Sequence, residues 1–358
     1  HLDELYGASV SPLVRRVGDY QTTGLYCGFM DDRFALPGDQ VLKPMVAFLE
    51  EILLDSPLEN GAFLSAFVES EKKNLISTIE SEMNDKRVYA MNRLLKIMCS
   101  ADTFGMPRLG EKEQVSAITA QSLYDHYRKV LKESPVHLFY VGSAQPEQIA
   151  HLLQPLFLGE NPRMSLPPQT AYRDSGKGEY TEALDVAQGK LCMGFVTDIT
   201  LRNPDFAAMQ VFNALYGAGM TSKLFMNVRE KLSLCYSVGS AYYGSKGIVT
   251  VSAGIDAGQE ELVRREILRQ LDACRNGDIT DGELGAAREA ILSALRATHD
   301  SHDAIAGYYA TAALSGLSMT PEQYMAAVET VTAEDAARAA RSLELRAVYF
   351  LKGEEVEK

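Results

Sequence analysis

The sequence predicts an α+β protein of two duplicated domains, each a mostly antiparallel sheet covered by helices, with the first domain lacking its opening strand and helix. Three observations carry this expectation. Matching segments recur in one order at a separation of about 210 residues, too long for a solenoid repeat. In the second half, strand-like runs are followed by grouped helical patterns. A stretch rich in Pro and Gly lies between halves of similar size.

The chain opens on Leu2-Asp3-Glu4-Leu5-Tyr6, a helical pattern, and starts at His1 rather than Met. The natural start is therefore expected upstream, and a removed targeting segment stays open. Leu75, Ile76 and Ile79 mark a long helix ahead of Asn84-Asp85-Lys86; Ile291, Leu292 and Leu295 mark its counterpart ahead of Asp300-Ser301-His302. Thr119 is an expected N-cap of a helix through Leu123, Tyr127, Val130 and Leu131, followed by a strand from Val136 to Gly142. Thr332 repeats that role before a strand from Leu345 to Gly353, and Leu5-Tyr6-Gly7-Ala8 recurs as Leu215-Tyr216-Gly217-Ala218. Leu158 to Gly189 holds Pro162, Pro167, Pro168, Gly176 and Gly178 and reads as a linker with one short strand inside it. The expected division is a first domain over 1–158, a linker over 159–189 and a second domain over 190–358.

Within the second domain, Lys190 to Thr197 reads as a strand, Pro204 to Tyr216 as a helix and Thr221 to Lys231 as a second helix. Leu234 to Tyr243 and Ile248 to Ile255 read as strands paired across Gly244-Ser245-Lys246-Gly247. Glu260 to Arg275 is an amphipathic helix stopped by Gly277, and Asp281 to Leu314 is a helical hairpin or a long kinked pair. Nothing before Leu2 matches the strand and helix of Lys190 to Tyr216. About sixty residues of a symmetric first domain are expected to be missing.

Composition narrows the classes. The 358 residues are 46% hydrophobic and 23% charged, which excludes disorder as the main state. The formal charge of −13 is spread evenly with no basic patch, so no nucleic-acid partner is expected. No window approaches roughly eighteen uninterrupted apolar residues, so no membrane helix is expected. The five cysteines (Cys27, Cys99, Cys192, Cys235 and Cys274) form no CxxC pair, and all but Cys274 lie in apolar stretches. Free thiols in a reducing compartment, hence a cytoplasmic protein, are expected.

Metal-ligand patterns are sparse. There is no HExxH and no HxxEH. His299 and His302, flanked by Asp300 and Asp303, could share a helix face as ligands, but a polar apex between two helices is the simpler account. His137 lies mid-strand with no second ligand nearby in sequence. Glu50-Glu51, Glu69/Glu71 and Glu80/Glu82 read as solvated helix faces, and Gly217-Ala218-Gly219 as a helix C-cap with a left-handed residue. No GxSxG elbow, P-loop or dinucleotide fingerprint occurs. The informative segment runs from Leu215 to Gly254. Arg229 lies near the end of one helix, and Tyr236 opens the next strand across a short turn. A guanidinium and a phenol brought to one point are both strong donors. They could grip a peptide carbonyl or the oxyanion formed from it, or simply order the turn.

This segment resembles the second domain of the insulinase-like (pitrilysin, inverzincin) zinc metallopeptidase family. The matching residues are Gly217-Ala218-Gly219, Thr221-Ser222-Lys223-Leu224-Phe225, Arg229-Glu230-Lys231 and Leu234-Cys235-Tyr236. The resemblance implies that Arg229 and Tyr236 contact the substrate carbonyl near zinc. It also implies a first-domain HxxEH helix, which has no match here, and a third ligand on the helix holding Glu71, at the position of Thr78. A neutral hydroxyl is a poor zinc ligand, so no cofactor is expected. The Leu-Tyr-Gly-Ala start and Glu71-Lys72-Lys73-Asn74-Leu75 are similar to a bacterial branch without the zinc motif. That branch is often described as associated with 5-aminopentanol modification of elongation factor P. The resemblance thus implies a zinc-free subunit that binds peptide or unfolded polypeptide, pairs with a zinc-bearing insulinase-like subunit, and could form a homodimer in isolation. A binding or scaffold module without catalysis, and a trimmed piece of an active protease, stay open as alternatives.

Overall fold

The structure, a computed structural model, describes residues 2–154, 165–166, 171–172, 177–256 and 258–353. The chain forms two compact units. One comprises residues 1–16, 21–79 and 108–168; the other comprises 17–20, 80–107 and 169–358. Part of the expected linker, 159–164, 167–170 and 173–176, lies outside the described residues. Both units combine helices with short or long sheets, as the α+β class requires.

In the first unit, the opening helical pattern amounts to a single 3-10 turn, Asp3–Leu5. Tyr6 and Gly7 follow at φ 58° and 75°, left-handed conformations that end the turn. Strands β1 (Ser9–Val17) and β2 (Tyr20–Gly28) then pair. Helix α1 (Leu42–Leu54) precedes the small hairpin β3 (Leu58–Glu59) and β4 (Ala62–Phe63), then α2 (Ser65–Asn84). Helices α4 (Lys112–Ser116), α5 (Ala120–Glu133) and α6 (Pro146–Leu153) complete the unit. Thr119 caps α5 through a reciprocal box with Ser122. Leu42, Val46, Ile149 and Leu153 form the core, and Phe63 meets Tyr124 and Tyr127 edge-on at 5.2 and 5.4 Å. The strand expected at Val136 to Gly142 is not formed. Val136, Leu138, Phe139 and Tyr140 are exposed, and this run has no ladder partner among the described residues. An apolar run becomes a strand only where a neighbour takes up its backbone N–H and C=O groups.

The second unit holds the larger core. Helix α3 (Lys86–Met98) starts at an Asp85 cap, so the break after the first long helix falls where the sequence suggests. The remaining elements are β5 (Gly178–Leu184), β6 (Gly189–Val196), α7 (Phe206–Tyr216), a π-helix (Leu224–Lys231), β7 (Ser237–Tyr243), β8 (Ile248–Ile255), α8 (Glu260–Arg275), α9 (Asp281–Thr298), α10 (His302–Ser315), α11 (Pro321–Thr330), α12 (Ala333–Arg341) and β9 (Glu344–Gly353). The strands lie in the order β5-β9-β6-β8-β7. Only the β5–β9 pair is parallel. Strand β5 is the short strand expected inside the linker. Helix α11 goes beyond the elements expected from the sequence, although Thr320, Pro321 and Gln323 give it a capping box with proline in the first turn.

Strand alternation sorts residues to two faces. Leu191, Met193 and Phe195 face the main core with residues of α7, α8, α9, α11 and α12. Cys192 and Val196 face α3, with Leu94, Leu95 and Met98. Gly194 lies beneath Met98, where an added Cβ would collide with the thioether sulfur. Each large side chain sealed in this way contributes about 1.5–3 kcal/mol.

The β7–β8 turn carries Lys246, whose side chain has no exposed surface. Its Nζ lies 2.7 Å from Asp19 Oδ1 and 2.9 Å from the buried Asp102 Oδ2. Thr103 Oγ1 also donates to Asp19, at 2.8 Å. Replacing Lys246 by Met removes the cation and strands two carboxylates. The expected loss is about 3–5 kcal/mol of unfolding free energy, measured by denaturant titration. An unchanged midpoint would contradict the assignment.

At the other edge, Glu182 on β5 accepts from Tyr349 at 2.6 Å, Tyr89 at 2.7 Å and Arg93 at 3.2 Å. Burial opposes its charge, but these donors outweigh burial and hold its carboxyl below the ordinary value of 4.5. A lowered carboxylate pKa stabilises the fold above the unfolded pKa, and that stability is lost as pH falls through the lowered value. The stability gap between the natural chain and Glu182→Gln should therefore be constant near neutrality and shrink below about pH 4.5. A pH series of unfolding curves measures it.

Candidate functional site

The site is built on the chain from Gly217 to Tyr236, within the second unit. Helix α7 ends at Gly217, whose φ of −156° is not the left-handed cap the sequence suggested. Glycine is needed here for space. A Cβ would lie 2.6 Å from Ser240 Oγ and 2.8 Å from Leu224 Cδ1. The Gly217 carbonyl accepts from Ser240 N at 3.0 Å, which fastens the edge strand β7 to this turn.

Beyond it, the motif residues act as anchors. Ser222 Oγ donates to Gly219 O at 2.6 Å. The buried Lys223 pairs with Glu283 at 2.7 Å. Leu224 and Val228 enter the core, and Asn227 donates to Gln270 at 2.9 Å. The second helix predicted here is a π-helix: Leu232 N bonds back to Asn227 O, five residues earlier. Such helices are rare and are frequently found at functional sites. Four residues apart on one helix face, the Arg229 guanidinium lies over the Phe225 ring at 4.7 Å.

Arg229 Nε donates to the Tyr236 backbone carbonyl at 3.0 Å, and Nη1 pairs with Glu230 at 2.9 Å. Ser233, at φ 51°, reverses the chain between them. Tyr236 N donates to Gly254 O, while the phenol donates to Asp256 Oδ1 at 2.8 Å. That hydrogen bond, with the carboxylate charge behind it, raises the phenol pKa above 10.0. Tyr236 is 55% exposed, and the Arg229 side chain is 39% exposed. The structure thus brings Arg229 onto the Tyr236 backbone and directs the hydroxyl to Asp256. Asp256 escaped the sequence reading. It follows β8 directly, at the same end of the β7–β8 pair as Tyr236, where Ser237 lies opposite Gly254. Burial pushes the adjacent Cys235 thiol up to about 11, so it is protonated and non-nucleophilic at neutral pH.

The other candidates lie elsewhere. His299 closes α9 and His302 opens α10, so they form the apex of a helical hairpin, with His299 Nε2 at 3.1 Å from Glu322. His137 stacks on Phe139 at 6.4 Å. Glu71 accepts from Asn74, and Thr78 Oγ1 donates to the Asn74 carbonyl at 2.8 Å. Among the described residues, no group of three His, Cys, Asp or Glu gathers as a metal set, and no helix is long and apolar enough to cross a membrane. All five cysteines are free; Cys27 is half-buried, and Cys274, which the sequence left outside the apolar stretches, is buried on the inner face of α8.

A helix-covered, mostly antiparallel sheet bearing an exposed Arg and Tyr on this motif defines the class of the M16, or insulinase-like, metallopeptidases. The chain belongs to that family. Residues 117–291 match the peptidase M16 inactive domain. The chain is 31% identical, over 99% of its length and 84% of the relative, to the probable inactive metalloprotease YmfF of Bacillus subtilis. It is 21% identical, over 79% of its length and 69% of the relative, to an uncharacterized zinc protease of Rickettsia felis. A crystal structure of a conserved protein from Enterococcus faecalis V583 is similar at 30% identity, with a TM-score of 0.91, covering all of this chain and 84% of that one. The peptidase M16 inactive domain from Pseudomonas fluorescens shares the fold at 16% identity and TM-score 0.79, over all of this chain and 84% of that one.

Substituting Gly217 by Ala should destabilise the second unit by about 1–3 kcal/mol, because the new methyl overpacks against Ser240 and Leu224. Thermal unfolding followed by circular dichroism measures this; an unshifted transition would show that the contact is easily relieved.

Proposed function

We propose that this chain is a zinc-free, non-catalytic M16 subunit that binds peptide and lends Arg229 to the active site of a zinc-bearing partner, with Tyr236 beside it. The observation that carries the proposal is the pairing of two facts. An exposed guanidinium is held by a π-helix, a ring stack and a backbone carbonyl, while Thr78, a neutral hydroxyl, stands where the resemblance puts the third zinc ligand. Building a precise donor without the water-activating metal makes chemical sense where the metal comes from a second chain. The similarity to a probable inactive metalloprotease supports the same reading. Exposed Met220, Met226 and Leu232 on the site segment suit apolar side chains of an unfolded polypeptide. The partner is a zinc-bearing insulinase-like subunit, and the free thiols favour a cytoplasmic setting.

The test mixes this chain with zinc-bearing M16 relatives and follows cleavage of a fluorogenic peptide. Mixing should raise turnover, and Arg229→Ala should lower it by about 10²–10³-fold. Full activity of the Arg229→Ala mixture would refute the proposal. A second reading, peptide binding without catalysis, is favoured by the Tyr236 hydroxyl, whose proton is already given to Asp256. Peptide affinity with no turnover in any pairing would select it.

A further inference from the structure

The direction of one proton changes what the site can hold. A phenol has a single hydrogen, and Tyr236 gives it to Asp256 at 2.8 Å. Toward any ligand, the Tyr236 oxygen therefore presents lone pairs only. The Asp256 carboxylate beside it is likewise acceptor-only when ionised. Arg229 has the opposite character. Its Nε is spent on the Tyr236 carbonyl and its Nη1 on Glu230, which leaves Nη2 without a hydrogen bond among the described residues. The site thus offers donors at the backbone end of Tyr236 and acceptors at its phenol end. A ligand that complements both carries a carbonyl near a donor.

Charge selects the donor. Arg229 is paired with Glu230, whereas the Asp256 carboxylate accepts from a neutral phenol. A neutral amide N–H gains less from a carboxylate than an ammonium, which makes a charge-assisted hydrogen bond. We propose that Asp256 and the Tyr236 phenol oxygen form an acceptor pair for a primary ammonium of a peptide ligand, whose neighbouring carbonyl is held by Arg229. The ammonium belongs to a peptide N-terminus or to a lysine side chain; both present the same chemistry. This inference rests on the peptide-binding reading above and extends it to a defined chemical group.

The experiment uses the full chain and fluorescence anisotropy with three synthetic probes. The first is a twelve-residue peptide of Ala, Leu and Ser with a free N-terminus and a C-terminal fluorescein. The second is its Nα-acetylated twin. The third is the acetylated peptide with one central Lys. Asp256→Asn keeps an acceptor for the phenol and removes only the charge, so the fold should be undisturbed. Acetylation and Asp256→Asn should each weaken binding of the first probe by about fivefold, without adding to one another. Recovery of affinity by the lysine probe assigns the side-chain ammonium; no recovery assigns the N-terminus. Equal affinity of the first two probes, with Arg229→Ala weakening both, overturns the ammonium assignment and leaves the peptide-binding reading standing. Binding of every probe untouched by Arg229→Ala, or no binding at all, overturns both.

Discussion

An ammonium with no exposed surface cannot be left unpaired, and Lys246 is paired with two carboxylates from distant parts of the chain. Asp19 comes from the turn between the first two strands, Asp102 from the loop after α3, and Lys246 from the β7–β8 turn. Three chain reversals meet on one cation, and all belong to the second unit. The surplus negative charge there is softened by Thr103 on Asp19 and by the Phe104 amide on Asp102 at 2.9 Å. Apolar replacements of equal volume could be as stable. An ion cluster of this kind has a geometric demand that grease lacks, so it fixes which turns meet.

The same unit shows how a sheet is sealed on two sides by unequal means. Five α-helices and the π-helix cover one face, whereas the other is covered by α3, laid close enough that Gly194 has no room for a side chain. Glu182 secures the outer strand β5 to that helix with hydrogen bonds from Tyr89 and Arg93. Tightness on this side leaves the opposite edge, at β7, to carry the exposed chemistry. There the Gly217 carbonyl occupies the Ser240 amide, which blunts a sheet edge that would otherwise invite another strand.

Periodicity and caps made most of the second unit legible. Thr332 acts as an N-cap where the sequence places a helix start, and β6, β7, β8, α8 and α9 match their expected spans closely. What failed did so for physical reasons. Val136 to Gly142 has a strand's composition but lacks a ladder neighbour among the described residues, and composition cannot supply one. Lys246 sits in a glycine-flanked turn, where a lysine is ordinarily solvated, so nothing local announces its burial. Arg229 and Tyr236 were legible as a motif, but the hydroxyl's partner depended on cross-strand register. The helix before them was legible as a helix, yet its π geometry depends on where Leu224, Val228 and Leu234 are buried, which is a tertiary property.

That π geometry ties function to segment length. Between the same two anchors, a five-residue hydrogen-bond spacing stores one more residue than the four-residue spacing of an α-helix. Deleting one residue from Leu224–Lys231 lets the backbone relax into the commoner helix with its core contacts largely kept. Side chains past the deletion are then rotated about the helix axis, which turns the guanidinium away from the Tyr236 carbonyl it holds. A homologous chain could thus be disarmed by a single-codon deletion that leaves the arginine itself in the sequence.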